Sequence, residues 1–243
     1  MIETVAQTGS TNSDLLGRLA AGETLPEGFW LRAVQQSAGR GRSGRNWLSA
    51  PGNLYTSTVV HLRAEDPPAH TLSLVAGLAV WDSLRAIIGD EHELFLKWPN
   101  DVLVRDAKIA GILLERSGDA VVVGIGVNVG YAPALPDRAT SCIRAIEPGT
   151  RVGPPRMLDV LAVQMEAALI RWRSEGLASI LQRWSLRAHP IGTALSVKDG
   201  DGMALTGSFA GLDDHGSLLL RLVSGEVRTI HAGDVSMIAK GPA

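Results

Sequence analysis

Apolar positions recur along this chain with two different periods, and the change from one to the other divides it. Over Thr71–Ile88, residues Leu74, Leu78, Trp81 and Ile88 fall on one helical face. Over Met157–Arg173, residues Met157, Leu161, Met165, Ala168 and Trp172 do the same, so both stretches are predicted core helices. A shorter helix is predicted from the capping residues Ser10, Thr11 and Asn12 through Leu15, Leu16 and Leu19, and another over Leu177–Arg187. Asn53–Leu62 is β-branched and aromatic and reads as a strand, as do Phe29–Gln36, Leu94–Lys97, Lys108–Leu114 and Ala120–Val129. Pro99 forces a turn, because it fixes φ and has no N–H for a ladder. After His189-Pro190 the texture changes to short alternating runs, Ala194–Val197, Met203–Leu212, Ser217–Leu222 and Val227–Ile230, separated by Gly and Asp. Turn signals at that spacing predict a small all-β unit, a partly closed barrel. The predicted organisation is α+β: a mixed β-sheet domain flanked by helices over residues 1–188, then a β unit over residues 189–243.

A chain of 243 residues can bury a substantial core unaided. With 23 basic against 25 acidic residues and a net charge of −2, nucleic-acid binding by bulk charge is disfavoured. The one cysteine, Cys142, cannot form an intrachain disulfide. No basic, apolar leader opens the chain, and no apolar run approaching roughly 18 residues is read from it, so a cytoplasmic protein without a membrane span is expected. The six histidines are scattered, and no metal cluster or Ser-His-Asp order is legible.

Chemistry concentrates in Ser37–Trp47, a segment without periodicity that holds arginines at 40, 42 and 45, glycines at 39, 41 and 44, and no acid. Glycines let backbone N–H groups approach an anion, arginines grip phosphate or carboxylate in two-pronged fashion, and Trp47 offers a flat face. Three readings stay open on the residues alone: a loop closing over a nucleotide phosphate, a solvated basic loop, and a nucleic-acid-binding loop. Walker and Rossmann motifs are absent; Gly124–Gly130 has the wrong spacing and runs into a proline-rich stretch. Its glycines let a ligand lie against a strand, with Asn128 placed to read a base edge, or they mark a bulged core strand. Lys108, at the head of an apolar strand, would by itself be a cation snorkelling to water.

In order, Ser10-Thr11-Asn12, Gln36–Trp47, Lys97-Trp98-Pro99-Asn100-Asp101, Lys108–Glu115 and Gly124–Asn128 form a series that resembles the bacterial biotin protein ligases. Gly211-Leu212-Asp213, Gly216–Leu220 and Gly233-Asp234-Val235 look like their small SH3-like domain. The resemblance implies a class II aminoacyl-tRNA-synthetase-like fold and a two-step reaction. Biotin and ATP with Mg²⁺ would give biotinyl-5′-adenylate, and a lysine of a biotin carboxyl carrier protein would then take the biotin, with no tightly bound prosthetic group. It places Ser10, Thr11, Asn12, Gln36, Gly39, Arg40, Lys108 and Gly111 around biotin, with Arg40 and Lys108 as catalytic cations. Arg42, Arg45, Trp47, Asn128 and Asp101 would face the nucleotide, Asp101 either near Mg²⁺ or orienting an arginine. Because the first motif begins at Ser10, no room is expected for the DNA-binding domain of the bifunctional members, and no nucleic-acid or membrane partner is expected. The protein would act as a monomer or homodimer. Ser43 departs from the family, where a further basic or aromatic residue is common, and so bears on how the loop holds the adenylate. Two other readings are a lipoate–protein ligase of the same fold and a non-catalytic binding module.

Overall fold

The computed structural model describes residues 1–136, 138–198 and 204–238. Strands β1 (Ile2–Thr8), β2 (Trp30–Gln36), β3 (Leu54–His61), β4 (Leu94–Lys97), β5 (Asp101–Val104), β6 (Ala107–Ser117) and β7 (Ala120–Val127) form one sheet in the order β1-β2-β3-β7-β6-β5-β4. Only β1 and β2 run parallel, and α1 (Thr11–Ala20) is the crossover such a pair requires. The helices predicted from periodicity are α2 (Leu72–Ile88), α4 (Pro154–Ser174) and α5 (Gly176–Ser185), with a single-turn α3 (Ile143–Ile146) between. The sequence reading passed over β1, β5 and the last strand, β12 (Asp234–Met237).

Alternation along β7 sets the two faces of the sheet. Val121, Val123, Ile125 and Val127 point into the main core with α2, α4 and α5, whereas Val122 joins Leu15, Phe29, Leu31 and Val59 beneath α1. Continuing on the α1 face, β7 presents Gly124 and Gly126, and β6 presents Gly111, which pairs with Gly126. Where α1 packs, that face is covered; where the glycines lie, it is a recess.

The remaining strands, β8 (Ala194–Lys198), β9 (Ala204–Leu212), β10 (Leu218–Leu222), β11 (Val227–Ile230) and β12, form an antiparallel sheet in the order β11-β10-β9-β8-β12. It is an open sheet: among the described residues β11 and β12 lie at opposite ends with no pairing between them. Met203, where the second run was expected to start, and residues 239–243 lie outside the described residues. The second sheet shares a core with the first, since Leu195, Val197, Phe209 and Leu218 pack into the cluster that holds α2 and α5. Trp98 Nε1 donates to the Gly216 carbonyl at 3.0 Å. Gly216 itself has φ +82°, and a Cβ there would stand 2.9 Å from Leu74.

His189 sits between the sheets. Its ring stacks on Phe95 at 4.7 Å, and its Nε2 is buried without a partner among the described residues. Burial pushes its pKa down from 6.5 to about 4. Between those values the unfolded chain takes up a proton that the folded chain refuses, so stability falls as pH drops through that window. From pH 7 to pH 5 the loss from this residue is expected to be about 2 kcal/mol. Thermal melts of the unmutated protein and His189→Leu at both pH values check it: the variant should lose less on acidification, and equal losses would refute the assignment.

The segment 69–88, which contains α2, is by length and composition apolar enough to cross a membrane, but 67% of its most apolar 18-residue window is buried inside the protein. Such burial is what a core helix shows.

Candidate active site

The glycine recess opens toward the second sheet as a cavity of about 1460 Å³. Pockets for one small ligand run to roughly 300–1,000 Å³, so an acid and a nucleotide fit together. The cavity is lined by α1, the Ser37–Trp47 loop, β6 and β7 on one side and by β8 and β12 on the other.

At its floor Asp101 lies buried between two ammonium groups, with Lys108 Nζ at 2.5 Å and Lys97 Nζ at 3.1 Å. Burial pushes the Asp101 carboxyl up, but Lys108 foremost and Lys97 reverse this and hold it well below the usual carboxylate range. Burial also pulls Lys108 below the ordinary lysine value, against the opposing pull of Asp101. Lys108 is therefore held against Asp101 with its side chain only 14% exposed, rather than snorkelling to water. Asp101 orients these two lysines and not an arginine, and with both oxygens engaged by ammonium groups it is a poor seat for Mg²⁺.

A chain of hydrogen bonds runs from one end of the loop to the other through the predicted biotin residues. The Trp47 carbonyl accepts from Ser49 Oγ at 2.8 Å, and Ser49 accepts from Gln36 Nε2 at 3.0 Å. Gln36 Oε1 accepts from the Thr11 N–H at 2.9 Å, and Thr11 Oγ1 lies 2.7 Å from Ser57 Oγ. Ser57 gives its proton to Asn12 Oδ1 at 2.6 Å, so the one Thr11 hydroxyl proton is shared between Ser57 Oγ and Gln36 Oε1, the latter 3.2 Å away. With its proton committed, Thr11 can face a ligand only as an acceptor. Asn12 Nδ2 then donates to Glu115 Oε2 at 2.9 Å, and Arg40 Nη2 donates to the same oxygen at 2.9 Å.

Trp47 lies over the paired glycines. A Cβ on Gly126 would stand 2.5 Å from the indole, and one on Gly111 would stand 2.9 Å from both the indole and Lys108 Nζ. Lys108 Nζ is 5.2 Å from the ring centroid, a cation–π distance. Gly39 is buried where a Cβ would meet the Trp47 carbonyl at 2.5 Å. The other two arginines reach across the cavity: Arg42 donates to Asn100 Oδ1 and to the Gly233 carbonyl, each at 3.3 Å, and Arg45 pairs with Asp234. Ser43 holds the loop's turn with φ 55°. Ser10, the N-cap of α1, makes no side-chain capping bond and lines the cavity.

Asn128 departs from the expected base-reading geometry. Its amide is buried, Nδ2 donates to the Ser141 carbonyl at 3.0 Å, and Oδ1 faces Asn53 Nδ2 at 3.4 Å. The sequence reading missed Asn53, whose Oδ1 accepts from the N–H groups of Val129, Gly130 and Tyr131 and so shapes the turn after β7. It also missed roles for Ser49, Ser57, Lys97 and Glu115; the last two stood inside quoted motifs, but nothing local marked them. Away from the cavity, the fold brings Glu91, His92 and Glu147 together, with His92 Nε2 bonded to Glu147 at 2.7 Å.

Residues 7–131 match the Biotin/lipoate A/B protein ligase family, and residues 191–237 match the Biotin protein ligase C terminal domain. A biotin--[acetyl-CoA-carboxylase] ligase of Paracoccus denitrificans is 39% identical over 95% of this chain and 98% of its own length. One from Mycobacterium tuberculosis is 40% identical over 96% of this chain and 88% of its own. The Aquifex aeolicus biotin protein ligase, solved with biotin and ATP, superposes with a TM-score of 0.84 at 26% identity, covering 98% of this chain and 99% of that one. The chain belongs to the biotin protein ligase family.

Proposed function

We propose that this chain activates biotin with ATP and transfers it to one lysine of a biotin carboxyl carrier protein, in the cytoplasm, using residues 1–188 as the catalytic unit and 189–243 as the smaller domain. The observation that carries this reading is Lys108, held by Asp101 beneath Trp47 at the join between the hydrogen-bonding pocket and the arginine loop. A carboxylate oxygen attacking the α-phosphorus brings two anions together, and a preorganised cation at that point offsets their repulsion. Pyrophosphate leaves, giving the acyl-adenylate. The carrier lysine, as the free amine, then attacks the acyl carbon; AMP departs with the electron pair of the broken C–O bond, and the amine loses a proton.

The cyclic urea of biotin would meet Ser10, Thr11 and Gln36, with Thr11 Oγ1 accepting a urea N–H. Asn12 sets the geometry behind them, Gly39 and Gly111 give the clearance, and Arg40 and Lys108 face the carboxylate. Arg42 and Arg45 would exchange their present partners for nucleotide phosphates, Trp47 would cover the adenylate, and Asn128 would shape the adenine end by bracing the 139–141 segment. ATP would arrive as its magnesium complex, with Mg²⁺ held by phosphates and water rather than by Asp101. Purified protein tested for ATP–pyrophosphate exchange is expected to respond to biotin and not to lipoate or octanoate. Exchange with lipoate alone would move the specificity, and no exchange with any acid would return the arginine loop to a non-catalytic binding role.

A further inference from the structure

The hydrogen-bonded chain through Thr11, Ser57 and Asn12 ends on a charge to which the two-step reaction gives no direct task. Glu115 lies on β6 four residues beyond Gly111, on the same face. Its Oε2 takes both Arg40 Nη2 and Asn12 Nδ2 at 2.9 Å. The two donors come from different parts of the chain: Arg40 from the loop, and Asn12 from the first turn of α1. Asn12 is 3% exposed and tied by Oδ1 to Ser57, so it cannot swing toward another partner without breaking a buried bond. Arg40, by contrast, is exposed and, among the described residues, is bonded through its side chain only to Glu115.

A guanidinium has five N–H donors in one plane, and engaging one of them fixes the plane while leaving the others free for an anion. Without Glu115, the flexible Arg40 stem would sample solvent, and ordering it would oppose ligand binding.

We propose that Glu115 is a positioning residue: it holds the Arg40 guanidinium at the mouth of the recess and links it, through Asn12, to the residues that face the head group. This rests on the ligase reading above. It gives the arginine loop a fixed point on the sheet, so the loop's cation is aimed before the acid arrives. It also makes Arg40 sensitive to the head-group pocket, because any displacement of Asn12 moves the oxygen that Arg40 shares.

The test is Glu115→Gln, which keeps the size and one acceptor but removes the charge, measured alone and in an Arg40→Ala background. In the single variant the KM for biotin in pyrophosphate exchange and the rate of adenylate release should each rise about three- to tenfold. The rate of transfer at saturating biotin should change little, and Glu115→Asp should restore part of the loss. In the Arg40→Ala background the same substitution should have a much smaller effect, confined to what reaches the pocket through Asn12, because Glu115 acts mainly through Arg40. An undiminished effect in that background would make Glu115 a general structural support and overturn the proposal. So would an unchanged KM and release rate in the single variant with normal exchange in the unmutated protein. No biotin-dependent exchange in the unmutated protein would overturn the ligase reading and this proposal together.

Discussion

Lys108→Ala should slow formation of the adenylate by about 100-fold or more, the scale on which removing one preorganised charge-stabilising donor acts. Lys97 reaches the other oxygen of Asp101, and the loop arginines point elsewhere: Arg40 to Glu115, Arg42 to Asn100, and Arg45 to Asp234. The fold should survive, because Asp101 keeps Lys97 as a counter-charge, whereas loss of every partner would leave a buried anion uncompensated. Rapid-quench measurement of a single turnover with biotin and ATP isolates the step, and a thermal melt reports the fold. A near-normal single-turnover rate in folded Lys108→Ala would remove this lysine from the chemistry.

Gly126→Ala should also be damaging, for a steric reason. The added methyl would stand 2.5 Å from two indole carbons of Trp47. Across the strand pair, Gly111 leaves its own narrow clearance beneath the same ring. The indole must lift, and the loop that closes the cavity must lift with it. Overpacking of this kind costs about 1–3 kcal/mol, so the KM for biotin should rise by about 10-fold or more while the second sheet and helices stay folded. Gly149→Ala is the matched control, because a Cβ there meets nothing within 4 Å and no positive φ is lost. If Gly126→Ala binds biotin as Gly149→Ala does, the glycine floor is not part of the closed site.

The long helices were legible because burial enforces their period. Met157, Leu161, Met165 and Trp172 are all buried on α4, as their spacing required. The strands that escaped notice carry no such signature. β1 is an edge strand with most of its residues exposed, so nothing compels alternation. β5 is four residues buried on both faces, a continuous run with no period to read. The small β unit was legible as such, but whether its end strands pair was not: among the described residues they do not, and closure depends on strand partners that local turn signals do not specify.

The site divides along the same line. Residue types and their order determined the arginine loop, the glycine pairs and Lys108 as a set belonging to one family, because each requirement is met within a few neighbouring residues. What only the tertiary structure decided is which group answers to which. Asp101 serves two lysines rather than an arginine, and Asn128 braces a turn rather than presenting a free amide. Thr11 is left as an acceptor because its one hydroxyl proton is taken up between Gln36 and Ser57, 25 and 46 residues away. Glu115 gathers donors from 75 and 103 residues earlier in the chain. Hydrogen bonds and ion pairs act over about 3 Å, and separations of that length between distant residues exist only once the sheet has formed.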